Sequence, residues 1–124
     1  MLTSGELKQD ILRVYNAVNK QIFNAGVRQQ SVEFVGNKIF IVSINTRVPI
    51  LKLLDEEYAD TTRHLDHLLS QAFKKHIRAA LEQQFKLNII AVFKDYDSAT
   101  EYSGTMIILD RDVESYLKEL SELR

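Results

Sequence analysis

Residues 60–95 read DTTRHLDHLLSQAFKKHIRAALEQQFKLNIIAVFKD, a helical pattern that runs directly into a strand pattern. Leu65, Leu68, Leu69, Ala72, Phe73, Ile77, Ala80 and Leu81 recur at three- and four-residue steps. That spacing lays them along one stripe of an α-helix. Arg63, Asp66, Gln71, Lys74, Lys75, Arg78 and Glu82 fall mainly off the stripe. Acid gathers at the start (Asp55, Glu56, Glu57, Asp60) and base toward the end (Lys74, Lys75, Arg78, Lys86), which complements the helix dipole. Asp60 is the expected N-cap, a short carboxylate that can accept a free backbone N–H. At about 1.5 Å per residue this helix spans roughly 35–40 Å, enough to cross a whole sheet. Residues 87–94, LNIIAVFK, then form a strand, with Leu87, Ile89, Ala91 and Phe93 on one side and Ile90 and Val92 on the other. Apolar residues on both sides predict a central strand in a sheet covered on both faces.

The rest of the chain is read outward from this unit. Thr3 and Glu6 match a capping box, and Leu7, Ile11, Val14, Tyr15, Val18 and Ile22 form a second apolar stripe behind it. Gly26 is the expected stop, so the first helix covers about residues 4–25. Residues 31–35 and 38–46 read as a β-hairpin around Gly36-Asn37. A two-residue turn pairs Phe34 with Ile39. A three-residue turn with a bulge instead gathers Val32, Phe34, Phe40, Val42 and Ile44 on one face. The second register is the preferred reading, and it leaves Val35, Ile39 and Ile41 in need of cover. Pro49 ends the strand and opens either a separate helical turn through Ile50, Leu51, Leu53 and Leu54 or the start of the long helix. Residues 95–104 read as a polar hairpin loop and residues 105–109 as the last strand. Asp110 or Asp112 then caps a final helix with Val113, Tyr116, Leu117, Leu120 and Leu123 inward. The expected fold is a single α+β domain over residues 1–124. Its order is helix–strand–strand, helix–strand–strand, helix, with a four-stranded, mainly antiparallel sheet crossed by the long helix.

Composition narrows the function classes. Hydrophobic residues make up 45% and charged residues 27%, the balance of a soluble globular domain. Sixteen basic residues oppose seventeen acidic ones, which argues against a dedicated nucleic-acid binder. There is no cysteine, so no disulfide framework, thiolate metal site or cysteine nucleophile is available. No apolar run reaches the length that spans a bilayer, and the N-terminus does not read as a signal peptide. The expected location is the cytoplasm, with a peripheral position at the inner face of the membrane as the extension.

Candidate sites are few. His64 and His67 stand three apart on the long helix and could meet one metal with Asp60 or Asp66, although the pattern is not His-Glu-x-x-His. The plain alternative is a solvated pair, with His76 a boundary residue. Lys74, Lys75 and Arg78 could meet a phosphate or an acidic lipid surface, or form a solvated helix face. Asp95, Asp97 and Glu101 could bind a hard cation, or belong to an ordinary polar loop. Nothing here makes a catalytic set, a cofactor loop or a complete metal site, and the expectation is a non-enzymatic protein without cofactor.

One family resemblance adds to this reading. Val35-Gly36-Asn37-Lys38, the strand IFIVSIN, Pro49, the run from Asn88 through Asp95, and the returning strand from Gly104 to Leu109 resemble the MpsC-type family of small bacterial proteins. The resemblance runs from the first helix to about Asp112. That family typically shows a hydrophobic-Gly-Asp hairpin, a Thr-Pro helix start and a strand ending in His-Ser-Asp. Here Asn37 replaces the turn aspartate, Val48 precedes the proline, and Phe93-Lys94 replace His-Ser, while Asp95 is kept. The resemblance implies an accessory protein linked to a membrane potential-generating system of sodium or inorganic-carbon transport. The expected partners are a second copy of the chain and such a transport complex. The homodimer rests on surplus apolar residues: Val35, Ile39, Ile41 and residues 50–54. A small metal-dependent or ligand-binding protein built on His64 and His67 is the alternative.

Overall fold

The computed structural model describes residues 2–123. Eight elements follow one another: α1 (Ser4–Phe23), β1 (Val27–Val35), β2 (Lys38–Asn45), α2 (Pro49–Leu54), α3 (Ala59–Phe85), β3 (Ile89–Tyr96), β4 (Tyr102–Leu109) and α4 (Val113–Leu123). The four strands form one antiparallel sheet in the order β1-β2-β4-β3. The α+β class, the element order and the long helix packed on the sheet agree with the sequence reading.

The stripe of α1 and the C-terminal part of the α3 stripe face the sheet, whereas Leu68, expected on the α3 stripe, is exposed. Leu7, Ile11, Val14, Tyr15 and Val18 of α1 meet Phe73, Ile77 and Leu81 of α3 in one core with Ile39, Ile41, Ile107 and Leu109 of the strands. Thr3 caps α1 by accepting a hydrogen bond from the Glu6 N–H at 3.1 Å. The helix stops at Asn24 rather than Gly26, because Asn24 itself takes the left-handed conformation and its N–H bonds the Lys20 carbonyl. α2 is separate from α3. Asp60 is not the N-cap of α3: Tyr58 holds that place, and the Asp60 carboxylate accepts from Arg63 instead.

Two strand expectations are corrected. β3 is an edge strand, and among the described residues one face of the sheet carries no helix layer; the apolar run there reflects exposed Ile90 and Phe93, not burial on both sides. The register also shifts between Ile89 and Ala91, so Ile89 and Val92 both face the helices while Ala91 and Phe93 face away. In the first hairpin the tight register wins, with Val35 opposite Lys38 and Phe34 opposite Ile39. Ile39 and Ile41 are therefore buried under the helices and are not surplus, while Val42 faces out with Val35.

Gly36 explains the choice of register. It stands first in the turn at φ +60°, the sign that a two-residue hairpin with glycine first requires. The turn is also tied into the fold: Asn37 Nδ2 donates to the Leu109 carbonyl at 2.9 Å, and the Val113 N–H donates to the Gly36 carbonyl at 2.9 Å. Gly36→Ala is expected to lower stability by about 1 kcal/mol, the cost of a side chain in the left-handed region. A drop in the urea midpoint at unchanged slope checks this.

The far end of the core is closed by α4. The buried Tyr116 hydroxyl donates to Asp110 and accepts from the Asn88 N–H at 3.0 Å. Val113 and Tyr116 are buried as expected, but Leu123 is exposed at the end of the helix.

Candidate functional site

The inward face of the sheet changes character along its length. Toward α4 it is aliphatic. Toward the α2 end it carries Ser43 and Asn45 from β2, Ser103 and Thr105 from β4, and Lys94 and Tyr96 from β3. The strand register sets Lys94 opposite Thr105 and Tyr96 opposite Ser103. β2 pairs Ser43 with Ser103. The polar residues of three strands thus meet under α1 and α3.

Lys94 is the centre of this patch. Its Nζ donates to Ser103 Oγ at 2.7 Å and lies 4.0 Å from the centre of the Phe73 ring, with Tyr15 at 5.5 Å and Phe23 at 6.0 Å. Among the described residues no carboxylate comes within ion-pair distance of it. Burial holds its pKa below the ordinary lysine value, against the opposing pull of Tyr15. A chain of hydroxyls and amides runs beside it. Ser43 Oγ donates to Asn45 Oδ1 at 2.7 Å, so it accepts from the Tyr15 hydroxyl at 2.9 Å, having one proton to give. Asn45 Nδ2 donates on to Asn19 Oδ1 at 3.2 Å. Thr105 Oγ1 is buried without a hydrogen-bond partner among the described residues.

An enclosed pocket opens beside this chain. Asn19, Phe23, Asn45, Val48, Leu51 and Lys94 line it. It offers the centre of a water-sized sphere about 20 Å³, which is room for a single water.

The pocket wall toward α2 is held by Arg47, which is only 5% exposed. Its Nε and Nη2 grip both oxygens of Asp55 at 3.0 and 2.8 Å, and Nη1 reaches Asp66 at 2.5 Å. Its backbone N–H donates to Glu101 at 2.6 Å, and its guanidinium lies over the Tyr96 ring. The hydrogen bonds from Arg47 hold the Asp55 carboxyl below its usual pKa, while burial pushes the Tyr96 hydroxyl up to about 12. The Tyr96 hydroxyl donates to the Asn45 carbonyl at 2.9 Å.

The residues singled out from sequence fall elsewhere. His64, His67 and His76 are all exposed on α3, and His76 Nδ1 contacts the Ala72 carbonyl of its own helix at 2.8 Å. His67 does share one open groove with Asp66, Asp95 and Asp97. Among the described residues, however, no three His, Asp or Glu side chains converge as a metal would require. The basic run is divided: Lys75 points to solvent, while Arg78 donates to the Ile89 carbonyl at 2.6 Å and pins β3 to the helix. The acidic loop is divided too. Asp95 accepts from the Tyr96 N–H, Asp97 from Thr100, and Glu101 from Arg47 and Arg28.

The second candidate is the outer face of the sheet. Across its middle row Phe93, Met106 and Phe40 stand side by side, flanked by Ala91 and Ile108 on one side and by Asp95, Gly104 and Val42 on the other. Phe93 is 52% exposed and Val42 is 42% exposed. Nothing lies within 4 Å of where a Gly104 Cβ would stand, so a hollow remains among Phe40, Val42, Phe93 and Met106.

No protein-family model, curated protein or solved structure matches the chain.

Sequence reasoning overlooked Arg47 and Lys94 as site residues. One signal pointed to Lys94: it shares strand parity with Val92, which places an ammonium on an otherwise apolar side.

Proposed function

We propose that this chain is a non-enzymatic interaction module that works as a homodimer joined through the outer face of its sheet. The observation that supports it is the row Phe93–Met106–Phe40 with the hollow at Gly104, an apolar strip with no helix over it. At spacings of about 4.8 Å between strands and 3.3 Å between residues, four strands of eight residues offer roughly 500 Å² in flat projection. The relief of the side chains brings this toward the ~800 Å² that a stable pair buries per partner. Two such faces stack about 10 Å apart in ordinary sheet-on-sheet packing. Charge favours a second copy over an oppositely charged partner. Glu33 and Lys38 sit on neighbouring strands near the apolar strip and Asp95 on its far side, so the face carries both signs, and the chain as a whole is near neutral at −1. A face of one sign would repel its own copy.

Sedimentation equilibrium tests this reading. The chain is expected to sediment as a dimer at micromolar concentration. Phe93→Glu and Met106→Glu are each expected to weaken the dimer tenfold or more while keeping the monomer folded, because each puts a charge at the centre of the apolar strip. A wild-type chain that stays monomeric throughout that range would remove the reading.

The resemblance to the MpsC-type family supports a second part of the proposal, service to a membrane potential-generating transport system. No helix among the described residues is long and apolar enough to cross a membrane. A pull-down by tagged protein from detergent-solubilised membranes tests the link. One transport complex recovered above a tag-only control supports it, and recovery of the chain alone counts against it.

A further inference from the structure

The buried amine of Lys94 is not used by the dimer proposal, since it lies on the opposite face of the sheet. Three features of its surroundings belong together. The amine has one hydrogen-bond acceptor, Ser103, and no carboxylate partner among the described residues. A pocket with predominantly apolar walls lies beside it. A relay of hydroxyls through Tyr15 and Ser43 stands next to it. A structural lysine is ordinarily paired with a carboxylate or snorkels its charge to water. Lys94 does neither.

We infer that Lys94 is a nucleophilic amine whose pocket takes a small neutral aldehyde as a reversible imine. The Nζ lone pair attacks the carbonyl carbon, and the C=O π pair moves to oxygen, which takes up a proton. The carbinolamine then loses that oxygen as water and leaves the imine, so that amine plus carbonyl compound gives imine plus water, with no oxidant or reductant. Ser103 holds the amine in place, and the Tyr15–Ser43 relay can pass a proton at the carbinolamine stage. Burial lowers the pKa of the amine, which favours the unprotonated form that attacks.

The walls define the ligand class. Phe23, Val48 and Leu51 suit a short alkyl group. The other charged groups on the same pocket, Arg47 and Asp66, are already paired with each other, which leaves no second cation for a substrate carboxylate once the amine has reacted. The single-water size limits the compound to the smallest aldehydes, of about one or two carbons, and even these require the Val48–Leu51 wall to give. That wall belongs to α2 and its approach, where the neighbouring Ile50 and Leu53 are exposed.

The test is reductive trapping of the full chain at pH 7 with acetaldehyde and cyanoborohydride, read by peptide mass mapping. Lys94 is expected to gain the ethyl group at least tenfold faster than Lys52 and Lys75, which are exposed references in the same molecule. Ordinary lysines are almost wholly protonated at that pH. Benzaldehyde, too large for the pocket, is expected to lose the preference. Labelling of Lys52 and Lys75 without Lys94, or equal labelling of all three, overturns the inference. Tyr15→Phe keeps the ring under Lys94 but removes the relay. It is expected to slow trapping at Lys94 alone, with the circular dichroism spectrum unchanged.

Discussion

Arg47→Met is expected to lose about 2–3 kcal/mol of folding stability, because breaking a buried ion pair typically costs about 3–5 kcal/mol and water can partly serve the charges left behind. The methionine keeps most of the side-chain volume but makes none of the three bonds from the guanidinium to Asp55 and Asp66. Those carboxylates are 33% and 25% exposed, which is why the loss falls at or below the bottom of that range. The backbone bond to Glu101 survives any substitution, so β2 keeps its place. What is lost is the tie that holds α2 against α3. Amide exchange across residues 49–54 is therefore expected to accelerate more than exchange in the core of α3. A urea midpoint equal to wild type, at one fixed chain concentration, would show that the network contributes nothing.

The same variant changes the acid limb of stability. Asp55 has a lowered pKa in the folded chain, chiefly through its hydrogen bonds to Arg47. A lowered carboxyl contributes stability that is present above the ordinary value of about 3.9 and lost as pH falls through the folded value. Arg47→Met removes the cause of the lowering. Its stability is expected to fall less steeply than wild type below pH 4.

The helices were legible because their signal is local. The stripe through Phe73, Ile77 and Leu81 needs only three- and four-residue spacing, and those residues are in the core. The hairpin turn was legible at Gly36-Asn37, but its register was not. Both registers give an apolar face, and the sign of φ at Gly36, which decides between them, is not a matter of pattern. Strand order is set by contacts between distant segments, so an edge strand with one apolar face exposed reads like a buried central one. β3 is that case, with a bulge that puts Phe93 on the open side. The polar sites failed for a different reason. Arginine and lysine signal solvent, and what makes Arg47 buried is a pair of carboxylates 8 and 19 residues along the chain. His64 and His67 drew notice by spacing, yet a metal site needs a third direction that one helix face does not supply.

Lys94→Met is expected to raise stability by about 2 kcal/mol at pH 7, since it replaces a largely buried amine that has no carboxylate partner among the described residues with an apolar chain of similar length. Two losses oppose the gain: the bond to Ser103 and the contact of the ammonium with the Phe73 ring, each worth about 1 kcal/mol or less net. The sign of the pH dependence separates the burial cost from these. The folded pKa of Lys94 is lowered, so between it and the ordinary value of about 10.4 the unfolded chain holds a proton that the folded chain does not. Unfolding is then favoured increasingly as pH falls, and wild-type stability rises with pH across that window. Tyr15, which burial pushes up but Lys94 and its hydrogen bonds together bring below the ordinary value, adds a slope of the same sign. Tyr96, raised to about 12, acts only above the ordinary tyrosine value of about 10, so measurements from pH 7 to 10 avoid it. Lys94→Met is thus expected to exceed wild type most at pH 7, with the difference shrinking toward pH 10. A variant less stable than wild type at pH 7 would make Lys94 a structural residue held by Ser103 and Phe73. A more stable one would mean that the chain keeps this lysine at a cost to its own fold, as a reactive group in an apolar pocket requires.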